Sequence, residues 1–355
     1  MEGMNLKDEL EKIRPSDQRS MEETRKHWKT VGKPLFSLGK LEEAVIRIAG
    51  MKGTSSYMLK KKALLIMCAD NGVVEEGVTQ TGQEVTAVVT ENFTRKAASV
   101  TLMAEVAGVD VFPVDIGVAR DVDHVTQAKY KVACGTRNMT REPAMTRREA
   151  ERAVLIGIRL VGELLEKGYD IIATGEMGIG NTTTSSAVVS VLLERDPAEV
   201  TGRGAGLSTE GLERKIDAIR KAVRLNAPDA EDALDVLAKV GGLDIAGLAG
   251  VFLGGAIFHI PVVIDGFISS AAALCAARIC PDAVDYMLPS HRSNEPAGGM
   301  VLEALGLSAF IDCGMSLGEG SGAVAVIPLL EMGVEVYNRM GTFDEVNIEQ
   351  YQELK

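Results

Sequence analysis

Several glycine-rich stretches carry residue types that could do chemistry. GEMGIGNTTTSSAV (175–188) closes an apolar run and opens a helical pattern. Gly178 and Gly180 would let the backbone approach a ligand closely. Asn181, Thr182, Thr183 and Thr184 fall at the helix start, where unpaired N–H groups and the helix dipole favour a phosphate. No Gly-Lys-Ser/Thr follows and the spacing is not GxGxxG, so neither common nucleotide loop is present. Asn and Thr are also good helix caps, so a plain capped helix after a glycine turn stands beside the phosphate reading. A second loop, TGRGAGL (201–207), precedes a helix that carries Lys215. Read alone, Lys215 is a solvated helix lysine.

Two further stretches follow later in the chain. In MLPSHRSNEPAGG (287–299), Ser290, His291 and Arg292 stand at a strand end. His291 could bind an anion, act in acid–base chemistry, or only orient its loop. In DCGMSLGEGSGAVAVIPLL (312–330), Glu319 lies between Gly318 and Gly320 at the mouth of a very apolar helix. A carboxylate there can partner a helix dipole. Beside buried apolar surface it can instead acquire a raised pKa and serve as a general base, reached by a ligand past the flanking glycines.

Metal and disulfide chemistry find no pattern. The four histidines (27, 124, 259, 291) form no cluster, and the five cysteines contain no CxxC pair. Buried reduced thiols are the expectation. A net charge of −12 argues against binding a nucleic acid through a broad basic face, while a small anionic substrate remains compatible. The polar start, MEGMNLKDELEKI, lacks the apolar core of a signal peptide. The apolar segment from Asp244 to Asp265 is long enough to span a membrane, but it is rich in Gly and Ala, is interrupted by Pro261 and lacks basic flanks. It reads as a buried helix followed by a buried strand.

The elements that must position these residues are six apolar runs: ALLIMCAD (63–70), VDVFPVDIG (109–117), YDIIATGEMG (169–178), PVVIDGF (261–267), VDYMLPS (284–290) and AFIDCGM (309–315). They are apolar throughout, as strands buried on both faces are, and helical patterns such as 83–107 and 146–168 lie between them. The expected fold is α/β: a doubly wound, mainly parallel six-stranded Rossmann-like sheet. Its strands end in Asp70-Asn71-Gly72, Asp115-Ile116-Gly117, Gly175-Glu176-Met177-Gly178, Asp265-Gly266, Pro289-Ser290-His291 and Asp312-Cys313-Gly314. In such sheets ligands bind beyond the carboxyl ends of the strands, so these endings should share one rim. The polar segment 117–145 reads as a long connection. Residues 1–36 and 331–355 are charged and helical, and are expected to form a small helical domain beside a large α/β catalytic domain at 37–330.

Taken together, the motifs resemble the nicotinate-nucleotide–dimethylbenzimidazole phosphoribosyltransferase family, often called CobT. The matching pieces are ADNGVVEEGV (69–78), QEVTA (83–87), VDIGV (114–118), GEMGIGNTTTSSAV, GRGAGL (202–207), DIAGLAGVFLGGA (244–256), PVVIDGFISSAAAL (261–274), YMLPSHRSNEPAGG (286–299) and LGEGSGAVAV (317–326). They run in family order over roughly 69 to 340.

The resemblance implies a cytoplasmic homodimer acting on small molecules, with no metal or cofactor, no nucleic acid and no membrane. The implied reaction moves 5-phosphoribosyl from nicotinate mononucleotide to 5,6-dimethylbenzimidazole or a related lower-ligand base. Its products are α-ribazole 5′-phosphate and nicotinate, in cobamide assembly. By position, Glu319 is the implied catalytic residue. Glu176, Gly178, Gly180, Asn181, Thr182, Gly202, Lys215, Asp265 and Ser290 would hold the nucleotide and its phosphate, and Thr81, Gln83, Met177 and Leu317 would form the base pocket. Many relatives carry Asp-His-Gly where this chain has Asp70-Asn71-Gly72, and an aromatic–proline pair where it has Thr81-Gly82. A smaller, more polar wall there would alter the choice of base. Two rival readings are a dehydrogenase on the same fold and a binding protein that has lost activity. The missing GxGxxG counts against the first, and retention of Glu319 against the second.

Overall fold

The computed structural model describes residues 4–125 and 128–353. Lys62–Ala69 form β1, and every residue after Lys62 is buried. A strand with no polar face needs cover on both sides and parallel neighbours. β2 (Val109–Gly117) pairs with it on one edge and β3 (Ile171–Met177) on the other, both parallel. β4 (Val262–Ile264) and β5 (Met287–Pro289) continue from β3, giving the order β2-β1-β3-β4-β5. This is one of the two common doubly wound orders, and its switch point lies between β1 and β3.

Helices α1 (Leu6–Leu10), α2 (Gln18–Thr30) and α3 (Lys40–Lys52) precede the sheet. α4 (Glu84–Thr94) and α5 (Ser99–Ala107) join β1 to β2, and α6 (Arg147–Glu166) leads into β3. Between β3 and β4 run α7 (Asn181–Leu192), α8 (Pro197–Val200), α9 (Thr209–Asn226), α10 (Ala233–Val240) and α11 (Leu243–Phe258). α12 (Phe267–Ile279) links β4 to β5, and α13 (Gly298–Ala304) and α14 (Ser321–Arg339) follow.

Side-chain alternation along β1 separates two helical layers. Leu64 faces the start of α14, where a Cβ added at Gly320 would meet its Cδ1 at 2.5 Å. Met67 faces the other way, with its sulfur 3.2 Å from a Cβ placed on Gly247 of α11. The 244–265 segment forms a buried helix and then a buried strand, as its composition predicts. α6 and α11 touch backbone to backbone: a Cβ at Gly250 would lie 2.0 Å from the Val154 carbonyl. Among the described residues no helix is long and apolar enough to cross a membrane.

The sheet has five strands, not the six expected. The run 309–315 makes a single parallel bridge, His291 to Ile311. Ala309, Phe310, Ile311 and Met315 are partly covered, whereas Asp312, Cys313 and Gly314 between them are exposed and Gly314 has a φ of 63°. Three exposed residues with no apolar side to bury cannot extend the sheet, and Pro289 at the end of β5 offers no N–H to a partner.

The two ends of the chain meet. Val31 and Thr342 form an antiparallel bridge, Gly32 N–H donates to the Gly341 carbonyl at 2.9 Å, and Trp28 packs edge-on against Tyr337. α14 runs unbroken past residue 331, and its buried face joins the same apolar core as the sheet.

Candidate active site

The loops after β1, β3, β4 and β5, together with the 202–207 and 316–319 segments, enclose a cavity of about 230 Å³. That is several times the ~30 Å³ share of one water. Of the residues expected from the sequence, Thr81, Glu176, Met177, Gly178, Gly180, Asn181, Thr182, Asp265, Leu317 and Glu319 line it. Gly202, Lys215, Ser290 and Gln83 stand behind the wall.

The 175–188 stretch folds as its residue types dictate. Gly180 has a φ of 94° and serves as the N-cap of α7, a conformation open to glycine. Gly178 is required by close approach, since a Cβ there would lie 2.4 Å from the Ala69 carbonyl. Within the first turn, the amides of Asn181, Thr183 and Thr184 find carbonyls of residues 178 or 180, while the Thr182 amide has no partner among the described residues. Lys215 donates through Nζ to Thr182 Oγ1 at 2.8 Å and to the Gly202 carbonyl at 3.0 Å. It is not the solvated helix lysine its surroundings in sequence suggest, being 1% exposed. Burial pushes its ammonium down to about 8, with the Glu295 charge pulling the other way. Three residues expected at the phosphate therefore contact one another around a free amide at a helix start.

Beneath the cavity lies a buried acid cluster. The Asn181 side-chain amide donates to Glu176 and, at 3.0 Å, to Asp244. Burial, and then the nearby Asp244 charge, push Glu176 up to about 8, and burial pushes Asp244 up to about 7. Asp244 was not among the expected site residues. Its signal was faint: a lone acid opening an otherwise apolar helix usually serves only that helix's dipole.

Asp265 reaches across to α14. Its carboxylate accepts from the amides of Gly322 at 2.7 Å, Ala323 at 3.0 Å and Gly320 at 3.2 Å. Burial pushes this carboxyl up, while the His291 charge and the amides it accepts from at the helix N-terminus favour its ionised form. Ser290 in turn donates to the Asp265 carbonyl at 3.0 Å. His291 is 3% exposed, lines the cavity and lies against Gly266 and Gly322. Arg203, also unanticipated, is among the described residues the one Lys or Arg side chain on the cavity wall, and its guanidinium bonds the Leu207 carbonyl and Thr209 Oγ1.

Glu319 sits just before α14, half-buried, with a φ of 61°. It does not cap its own helix. Its Oε2 accepts from the Val100 amide of α5 at 3.2 Å. Burial pushes its carboxyl above the usual range and the amide pulls the other way. Oε1 receives no hydrogen bond from a described residue and is not among the buried unpartnered atoms, so it is accessible, and the residue lines the cavity.

Of the two places that depart from the common family pattern, Thr81 lines the cavity and Asn71 does not. Asn71 is fully buried, bonded to Ile179 and Thr184 between the end of β1 and the start of α7. Gln83 Nε2 donates back to the Asn71 carbonyl at 3.2 Å. Of this region, Val78, Thr79, Gln80 and Thr81 reach the wall.

Known proteins are similar to this chain in sequence and fold. A family model described as phosphoribosyltransferase (DBI_PRT) matches residues 13–348. The nicotinate-nucleotide–dimethylbenzimidazole phosphoribosyltransferase of Ruminiclostridium cellulolyticum is 46% identical, covering 99% of this chain and 100% of its own length. That of Acetivibrio thermocellus is 49% identical, over 91% of this chain and 92% of its own. The crystal structure of CobT from Thermus thermophilus superposes with a TM-score of 0.89 at 37% identity, covering 94% of this chain and 100% of that one. With a glycine-built helix start, a glycine-flanked glutamate and this extent of likeness in sequence and fold, the chain belongs to the DBI_PRT phosphoribosyltransferase family.

Proposed function

We propose that this enzyme transfers 5-phosphoribosyl from nicotinate mononucleotide to a benzimidazole-type base, giving α-ribazole 5′-phosphate or its analogue and nicotinate, in assembly of the cobamide lower ligand. The relatives' names point to this reaction. The observation that carries it in this chain is the pairing of a free Thr182 amide backed by Lys215 with an accessible Glu319 oxygen on one cavity.

The donor's phosphate would sit at the start of α7, held by the Thr182 amide and hydroxyl, with Lys215 supplying positive charge from behind. The C1′–nitrogen bond breaks with its electron pair going to the pyridinium nitrogen, which leaves as neutral pyridine in nicotinate. An azole nitrogen attacks C1′ from the opposite face, turning the β-nucleotide into the α-product. The proton on the azole passes to Glu319 Oε1, whose affinity for a proton burial raises above that of an ordinary carboxylate. Anchoring by the phosphate places the two reactants for this displacement.

Within this reading, Glu176 lies beside the base as a protonated acid able to donate a hydrogen bond, and Met177, Leu317 and Thr81 form apolar and polar walls for it. Asp265 and Ser290 act through the α14 start, and Gly202 and Lys215 through Thr182. We also retain a homodimer, a cytoplasmic location, and the paired termini (1–36 and 331–355) as a small helical unit.

Incubation with nicotinate mononucleotide and a panel of benzimidazoles, purines and phenols tests the reaction. Release of nicotinate with stoichiometric ribosylated base is the expected result. Release of nothing with every acceptor would remove the assignment.

A further inference from the structure

We propose that the N-terminus of α5 positions Glu319 for proton transfer, and that it is free to do so because residue 98 is an alanine. This rests on the general-base reading of Glu319.

Ala98 has the extended conformation of an N-cap, with φ −107° and ψ 155°. Ser, Thr, Asp or Asn in that position would accept the amide of the second or third helical residue. Alanine has no oxygen to do so. Thr101 makes only the reciprocal half of a capping box, its Oγ1 accepting from the Ala98 amide at 3.3 Å. The amide left over belongs to Val100, the second helical residue. It is satisfied by Glu319 Oε2, 219 positions away in sequence.

This contact has two consequences for a base. It pins one carboxylate oxygen and leaves Oε1 without a hydrogen bond from a described residue. It also places the charge at a helix N-terminus, which favours the ionised form that a base requires. Burial and Asp265 push the other way. The titratable groups near this contact among the described residues are Glu176 of β3, whose Oε1 lies against Gly318, and His291 beside Asp265. On α5 and its leading loop, Lys96 and Glu105 pair with each other. α5 itself packs on β2 and α14, so the amide that holds Glu319 is anchored to the sheet.

Ala98→Ser gives α5 its own cap and competes for the Val100 amide, and Ala98→Asn offers a longer acceptor for the same amide. With the base no longer held, we expect kcat to fall several-fold and its acid limb to move to higher pH by about 0.5–1 unit. The donor KM should stay at the wild-type value, and the melting temperature should hold or rise. Unchanged kcat and acid limb in both variants, with Glu319→Gln inactive, would overturn the proposal. So would a slower enzyme with a lowered melting temperature and an unmoved limb, because that describes a packing defect. If Glu319→Gln itself turns over normally, the general-base reading fails instead.

Discussion

Lys215 donates to the hydroxyl of Thr182 at 2.8 Å, and through the Gly202 carbonyl it ties the start of α7 to the 202–207 loop. Lys215→Met keeps the stem and removes the charge. We expect the donor KM to rise at least tenfold, about 1.4 kcal/mol, with kcat at saturating donor little changed. In the wild type the donor KM should climb as pH rises through about 8, where the buried ammonium loses its proton, and this dependence should vanish in the variant. Initial-rate kinetics against pH check both. A KM equal to wild type in Lys215→Met would place the phosphate elsewhere.

Asp265 holds the turn that presents Glu319, so its charge should matter to both folding and rate. Asp265→Asn keeps the shape but replaces a carboxyl group that accepts from three backbone amides. Hydrogen bonds to charged groups contribute roughly 1.5–3 kcal/mol each on net. Urea unfolding should show a loss of at least that size for one such bond, and kcat should fall with it. A variant as stable and as active as wild type would contradict the capping role.

Glu176 and Asp244 make stability depend on pH in a particular sense. Their folded-state values, about 8 and about 7, lie above those of an unfolded chain. The folded chain therefore holds protons that the unfolded chain releases, and this contribution is full below about pH 4 and lost as pH rises through 7 to 8. Melting temperature should decline between about pH 5 and 8.5, and Asp244→Asn should flatten the decline. A profile identical in slope to wild type would mean that Asp244 is not the coupled acid.

Much of the architecture was legible because buried parallel strands have no polar face. β1 reads as an unbroken apolar run, and so does the helix–strand segment from Asp244 to Asp265. The sixth run failed because strand character needs burial as well as composition, and Asp312, Cys313 and Gly314 face solvent. At the site, the glycine and threonine pattern before α7 announced a helix start after a glycine turn. What a sequence does not carry is which distant group a side chain meets. Lys215 looked solvated, yet it is buried on Thr182. Asp265 serves a helix 55 residues or more downstream. The choice between cap and base at Glu319 was framed around its own helix, whereas the amide it accepts belongs to α5. Asn71 was expected near the base because it departs from the family pattern, but full burial keeps it behind the wall. Base preference should accordingly follow Thr81, Met177 and Leu317 rather than Asn71.

Turnover of Glu319→Gln is the most direct measurement. The amide keeps the side chain's size and can still accept from Val100, but it cannot take the azole proton. We expect kcat to fall by about 10²- to 10⁴-fold, with nicotinate mononucleotide binding, read by calorimetry, unchanged. A near-wild-type kcat with several bases would show that Glu319 is not the general base.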